Sequence, residues 1–339
     1  VYGSQSHPTA LGTGGGCGSS TGAAGGGALK LVVLGTLTLN GTISANSGSA
    51  VSGNGSGGSL WVTTGTFTGT NTGTLSANGG AGVSNAVRGG GGGGRIALYY
   101  TTKTPTAPAI TVAGGTGNNP GNLGTIHEVG PATQLAFVAS PGNTIAGQVL
   151  LPQLQVEIRD ANGKLRVVDS TQVTIAIGAN PSGGSLSGTL TRNAVNGVAT
   201  FSDLSINKVG TGYTLRATAA GLTQAISAPT FPAFNVTAGS ATKLSVSGIT
   251  NPTPGVPTSM TVKAQDAFDN TATGYTGTVT FTSTDSTATL PANYTFVTAD
   301  LGEKNFLVTF NTAWTFSVTA TGSAITPGIQ SNIPVTMSL

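Results

Sequence analysis

The chain has 339 residues, more than one ordinary β-sandwich needs and enough for two or three domains. Only 7% of them are charged, against about a quarter in a typical globular protein, and the formal net charge is +3. Disorder calls for high net charge and few β-branched residues, whereas Thr and Val recur here in short regular runs, so the chain reads as folded. Residues 1–130 carry Lys30, Arg88, Arg95 and Lys103 against Glu128; residues 131–238 carry six cations against four anions, and 239–339 three against five. Cations scattered this way do not build the dense basic face that phosphate binding requires, which argues against a nucleic-acid partner. Cys17 is alone, which excludes an intrachain disulfide framework and a thiolate metal cluster. No apolar run approaches the roughly 20 residues of a membrane span, the longest being Leu29–Leu34 with Lys30 inside it. A surface so poor in Lys and Glu suits an exported protein, with targeting signals expected outside these residues.

Of the 54 glycines, 35 fall in residues 1–130 and 19 in residues 131–339, which marks a boundary near Val129-Gly130-Pro131. Within the Gly-rich part a repeat is visible: Gly-Gly-Ala-Leu-Lys-Leu-Val-Val from Gly26, Gly-Gly-Ser-Leu-Trp-Val-Thr-Thr from Gly57, and Gly-Gly-Arg-Ile-Ala-Leu-Tyr-Tyr from Gly93. A worn fourth copy, Leu-Gly-Thr-Ile-His-Glu-Val, starts at Leu123. Leu29, Leu60, Ile96 and Ile126 are then equivalent, at spacings of 31, 36 and 30, and Ile43-Ser-Ala-Asn matches Leu75-Ser-Ala-Asn. Alternation with period two puts Leu29, Leu31 and Val33 on one face, and Leu37 and Leu39 on another. A single copy cannot bury such a face but a stack of copies can, which predicts a right-handed parallel β-solenoid over residues 1–130. The Gly runs become corners, where positive φ and close backbone approach are expected.

The remainder divides into two similar modules, 131–237 and 238–339. Val156-Glu-Ile-Arg-Asp-Ala-Asn-Gly pairs with Val262-Lys-Ala-Gln-Asp-Ala-Phe-Asp-Asn, and Asp160 and Asp266 lie 106 residues apart, about one immunoglobulin-like sandwich. Each module holds about seven alternating runs broken by Gly, Pro, Asn and Asp, with no sustained helical period. The fold class expected is all-β, a Gly-rich right-handed parallel β-solenoid followed by two immunoglobulin-like β-sandwiches.

These modules resemble the bacterial and archaeal immunoglobulin-like repeats of long secreted and surface-anchored proteins. The resemblance rests on the Thr-Gln/Lys-Leu starts, the Asp-Ala-Asn-Gly and Asp-Ala-Phe-Asp-Asn turns, Gly210-Thr-Gly-Tyr-Thr-Leu-Arg-Ala-Thr-Ala, and Ala272-Thr-Gly-Tyr-Thr-Gly-Thr-Val-Thr-Phe-Thr-Ser. Residues 1–130 are similar to the Gly-rich β-helical segments that precede such repeats in adhesin-like surface proteins. The resemblance implies an extracellular spacer, adhesion or envelope-building role and brings no catalytic residues with it.

Candidate sites are few. Tyr213 after Gly212 suits a tyrosine corner. Asp160, Asp266, Asp269 and Asn270 invite a calcium reading, weighed against Asx turns that close on their own backbone; the turn is expected, with no metal. His7 and His127 are too isolated for a metal site or a triad. Glycoside hydrolysis needs paired carboxylates, and residues 1–130 own Glu128 alone, so no enzyme is expected. Trp61, Tyr99 and Tyr100 are readable as a sugar-stacking strip or as packing between coils, packing being expected. Asn40, Asn54, Asn235 and Asn293 begin glycosylation sequons, which matter only in a host with that chemistry. The expected function is a non-enzymatic extracellular structural protein without cofactors, a self-assembling subunit of a filament, sheath or surface layer, with the stalk of a large adhesin as the alternative. The partners expected are further copies joined head to tail, through ends of net charge +3 (four minus one) and −2 (three minus five), or surface proteins and glycans.

Overall fold

The computed structural model describes residues 4–15, 21–50, 53–82 and 89–337. Cys17 and Arg88 lie outside the described residues, and no helix among the rest is long and apolar enough to cross a membrane. The chain is all-β, and among the described residues the one helical element is a single 3-10 turn at Thr298–Asp300.

Residues 28–129 form two parallel sheets. Strands β1 (Ala28–Leu39), β3 (Ser59–Gly69), β5 (Arg95–Lys103) and β7 (Thr125–Val129) pair in that order, and β2 (Thr42–Ser44), β4 (Thr74–Ser76) and β6 (Ala109–Thr111) make the second sheet. The register aligns Leu29 with Leu60, Leu60 with Ile96, and Ile96 with Ile126, the positions the repeat equates. Ile43, Leu75 and Ile110 align in the second sheet. Between the sheets Leu60, Val62, Phe67, Leu75, Ile96 and Leu98 are fully buried, each stabilising the stack by about 1.5–3 kcal/mol.

Glycine is demanded here by close approach rather than by φ. Of the described glycines before Gly130, only Gly117 has positive φ. Gly27, Gly58, Gly94 and Gly124 instead form a column in which each lies over the carbonyl of the one before. A Cβ on Gly58 would overlap the Gly27 oxygen, one on Gly94 the Gly58 oxygen, and one on Gly124 the Gly94 oxygen, while Gly27 faces open space. The amide after each glycine donates to that same carbonyl: Ser59 to Gly27, Arg95 to Gly58 and Thr125 to Gly94, at 2.9–3.0 Å. The glycine kept at this position in the second, third and fourth copies, Gly58, Gly94 and Gly124, is therefore a packing requirement.

Residues 132–236 enclose a second core, between a sheet of Val198–Phe201, Leu154–Arg159 and Gln134–Ala139 and a sheet of Thr191–Asn193, Gln172–Ile177, Leu215–Thr218 and Ala225–Ile226. Strict alternation brings Leu154, Val156 and Ile158 inward to meet Val173, Ile175, Leu215 and Ala217. Residues 241–335 repeat the plan, with Lys243–Ser247, Thr258–Gln265 and Glu303–Val308 facing Tyr294–Thr295, Thr278–Ser283, Thr315–Gly322 and Gly328–Pro334. Short pairings that the alternation does not announce, such as Thr144–Ile145 with Phe234–Thr237, complete the first sandwich. In the second sandwich an isolated antiparallel bridge joins Thr289 to Thr309.

The glycine column predicts that Gly94→Ala lowers the stability of the parallel stack by on the order of 3 kcal/mol, while Gly27→Ala is tolerated. Thermal unfolding of the full chain, followed by the fluorescence of buried Trp61, checks both.

Candidate functional site

The chemistry of the described residues gathers where one part of the chain meets the next. At the first junction the Asp160 turn follows the strand Leu154–Arg159. Its Oδ1 accepts the backbone N–H groups of Asn162 and Lys164, each at 2.9 Å, which closes the Asx turn. Its Oδ2 points away from the turn and accepts the N–H of Gly130, at 3.1 Å, from the segment leaving β7. Asp266 does the same 106 residues later. Oδ1 accepts from Phe268 at 2.9 Å and Asn270 at 3.0 Å, and Oδ2 accepts from Gly239, at 3.0 Å, in the link between the sandwiches. Both carboxylates are buried. Burial opposes the ionisation of Asp266, but donation from the Asn270 side chain and from the Asn270, Gly239 and Phe268 amides outweighs it and holds the carboxyl below its ordinary value.

Each turn also sends side chains across its junction. Lys164 donates to the Glu128 carbonyl at 2.7 Å, and Arg166 donates to the carbonyls of Tyr100 and Gly130. These are backbone acceptors at the β7 end of the parallel sheet, so module cations satisfy an edge that would otherwise be bare. At the second junction Asn270 donates to the Asn207 carbonyl at 2.8 Å and accepts from the Val209 amide at 3.1 Å. Lys208 donates to the Phe268 carbonyl, and the Phe268 ring lies where a Cβ on Gly147 would have to go. The Tyr213 hydroxyl donates to the Lys208 carbonyl at 3.0 Å, so the tyrosine corner expected from Gly212-Tyr213 also fixes the loop that receives the second sandwich.

Oxygens engaged in this way leave the turns little to offer a cation, and no group of three or more His, Cys, Asp or Glu occurs among the described residues. Asp269 pairs instead with Lys243 at 2.6 Å. Glu128 is tied to Lys103 at 2.7 Å. The aromatic strip is covered. Trp61 and Tyr99 are buried, with His7 edge-on to Trp61 at 4.7 Å, the Tyr99 hydroxyl donating to Ser6 O, and Val167 packed on the same cluster. A sugar-stacking role for Trp61 and Tyr99 is thereby replaced by packing, because residues distant in sequence lie on their faces. Tyr100 sits partly buried against the inner core, its hydroxyl pushed up to about 12 by burial and by the Glu128 charge.

His127 closes the same row at the junction, 5.9 Å from the Tyr99 ring, with Nε2 buried and unpartnered. Burial, then the Lys164 ammonium, hold its pKa below the ordinary value; Asp160 opposes this and His7 adds to it. A cavity of about 520 Å³ opens on the Gly-rich side, between Leu11, Arg95, Asn122 and Leu123, and its lining contains no carboxylate. Arg166, Lys164, Gly239 and Gly147 were not singled out by sequence reasoning, and Gly130 and Phe268 entered it only as a boundary and as part of a turn. The one available signal was that both turns are followed at equal spacing by a polar side chain, Lys164 and Asn270.

No protein-family model and no curated relative matches the chain. Among solved structures it is similar to the Escherichia coli adhesin FdeC, at 18% identity over 62% of this chain and 68% of that one, with a TM-score of 0.29. The Yersinia pseudotuberculosis adhesin InvE matches at 18% identity over 60% of this chain and 59% of its own, with a TM-score of 0.27. A β-glycosidase from Bacteroides vulgatus matches at 10% identity over 60% of this chain but 24% of its own, with a TM-score of 0.28. Scores this low assign neither function nor partner.

Two outcomes follow from the junction chemistry. Asp266→Ala strands buried donors and is expected to destabilise the chain by about 2–4 kcal/mol, whereas the melting temperature of the unmodified chain is expected to be the same with EDTA and with millimolar calcium. The pH dependence has a fixed sign. A histidine whose folded pKa is depressed contributes stability that is complete above its unfolded value near 6.5 and is lost as pH falls through the lowered folded value. Asp266, also depressed, contributes fully above its unfolded value near 3.9 and weakens only in stronger acid. The melting temperature is expected to drop between pH 7.5 and pH 5, and His127→Phe to flatten that part of the profile.

Proposed function

We propose that this chain is a non-enzymatic extracellular spacer of an adhesin-like surface protein. In this reading a right-handed parallel β-solenoid, residues 1–130, is held at a set angle on two immunoglobulin-like modules, 131–237 and 238–339. One observation carries it: Asp160 and Asp266 clamp Gly130 and Gly239 with the same carboxylate oxygen, one clamp for each link. Links that swing freely need no buried acceptor for their backbone. Links built twice to one design transmit position along the chain, which is what a spacer does. The isolation of Glu128, tied to Lys103, supports the non-enzymatic part, since glycoside chemistry requires a second carboxyl group.

A second reading, a self-assembling subunit, is favoured by β1. This 12-residue strand pairs only with β3 among the described strands, and its Leu29, Val32 and Leu34 are exposed. It carries Lys30 as its single charge and no proline, so it lacks most of the devices that discourage edge pairing.

Small-angle scattering separates the readings. The spacer predicts one particle dimension, independent of concentration, that broadens into an ensemble in the Asp160→Ala, Asp266→Ala double variant. Flexible scattering from the unmodified chain would overturn it. Growth with concentration at low salt, suppressed by Leu34→Lys, would instead support the subunit. Reducing-end assays over a broad glycan panel are expected to show no turnover; release abolished by Glu128→Gln would end the non-enzymatic reading.

A further inference from the structure

The seat that receives the second sandwich on the first has a counterpart on the second. Gly147, at φ 78°, donates its N–H to Ile206 O, and the adjacent loop from Asn207 holds the Asp266 turn. In the second sandwich Gly255, at φ 77°, donates its N–H to Phe310 O, and the adjacent loop begins at Asn311. The strands that end each seat correspond as well: Thr237 pairs in parallel with the Thr144–Ile145 strand that leads to Gly147, and Thr336 donates its N–H to the carbonyl of Pro252, three residues before Gly255. By this pattern of bonds Gly255 corresponds to Gly147, Asn311 to Asn207 and Thr336 to Thr237.

The two seats differ in what covers them. A Cβ on Gly147 would collide with the Phe268 ring, whereas one on Gly255 would meet nothing within 4 Å. At this end of the sandwich, where Gly255 is bonded to Phe310 and Pro252 to Thr336, the large apolar side chains are open: Trp314, 74% exposed, and Met337, 76%, line one hollow, and Val256 beside Gly255 is 52% exposed. Trp314 belongs to the loop that corresponds to the one gripping the Asp266 turn. Exposed large side chains gathered this way mark an interaction surface.

We infer that the face formed by Gly255, Val256, Trp314 and Met337 is a docking seat for a β-sandwich module presenting an Asp-Ala-Phe turn like that of residues 266–268. The occupant is set by continuity with the existing junction. The aromatic ring of such a turn fills the space over Gly255, as Phe268 fills the space over Gly147, and its aspartate caps an amide of the joining segment, as Asp266 caps Gly239. A second copy of the whole chain is a poorer fit, because its Phe268 is already seated and its other Asp turn, at Asp160, carries Asn162 instead of an aromatic residue. The inference extends the spacer reading, and each can fail without the other.

The test appends a second copy of residues 241–339 directly to the full chain, which reproduces the spacing of the existing link. Trp314→Phe in the appended copy leaves Trp61, which is buried, and the original Trp314 as the fluorophores. Docking predicts a several-fold fall in acrylamide quenching of Trp314 and a blue shift, both reversed by Phe268→Ala in the appended copy. A second splice, residues 1–336 followed by 238–339, carries the native link and is read the same way. Trp314 left equally quenchable in both, with the appended copy melting cooperatively, overturns the inference. So does shielding of Trp314 in the unextended chain on raising its concentration, since the occupant is then a second copy. A rigid native junction by scattering together with a quenchable Trp314 sinks this inference alone.

Discussion

The arrangement of the chain depends on a carboxylate that faces two ways. In both junction turns one oxygen closes the turn that carries it and the other takes a backbone N–H from the preceding link. Aspartate suits this because its two oxygens offer about four acceptor sites and no donor, whereas an asparagine in its place would direct an NH₂ at one of those amides. A buried, charge-assisted hydrogen bond of this kind contributes about 1.5–3 kcal/mol, comparable to a buried aliphatic side chain. It acts on one φ/ψ pair in a glycine that would otherwise be the freest point of the link.

What surrounds the carboxylate is adapted to what lies opposite. At the first junction the neighbour is the end of a parallel sheet, which presents carbonyl oxygens, and the turn answers with the donors Lys164 and Arg166. At the second the neighbour is a loop and a glycine, and the turn answers with an amide that both donates and accepts, Asn270, and with an aromatic ring, Phe268. The same backbone device thus joins two different surfaces through three or four side chains. His127 adds a dependence on pH to the first junction only, because burial there disfavours its charged form beside Lys164.

The parallel sheets owe their close stacking to the absence of a side chain. Each Gly-Gly pair brings the carbonyl of one copy onto the α-carbon of the next, and Leu60, Ile96, Val62 and Leu98 are carried into register as a consequence. The two ends of this stack are unequal. The β7 end is met by Lys164 and Arg166, while β1 keeps Leu29, Val32 and Leu34 in contact with solvent.

The sequence by itself determined the all-β class, the equivalence of Leu29, Leu60, Ile96 and Ile126, most strands of both sandwiches and the Tyr213 corner. These follow from local rules, namely period-two alternation, the residues that turns accept, and copies near enough in the chain to be aligned by eye. It determined the Asx turns at Asp160 and Asp266 for the same reason, since their Oδ1 partners lie two and four residues away. Only the tertiary structure decided where Oδ2 points, that Arg166 reaches Tyr100, that Phe268 fills the space over Gly147, and that Trp61 and Tyr99 are covered while Trp314 is not. Each of these joins groups 27 to 121 residues apart, and neither residue of a pair carries a mark of the other. Alternation tells which side of a strand faces inward; it does not tell what the outward side will meet, because that is set by how whole sheets are placed against one another.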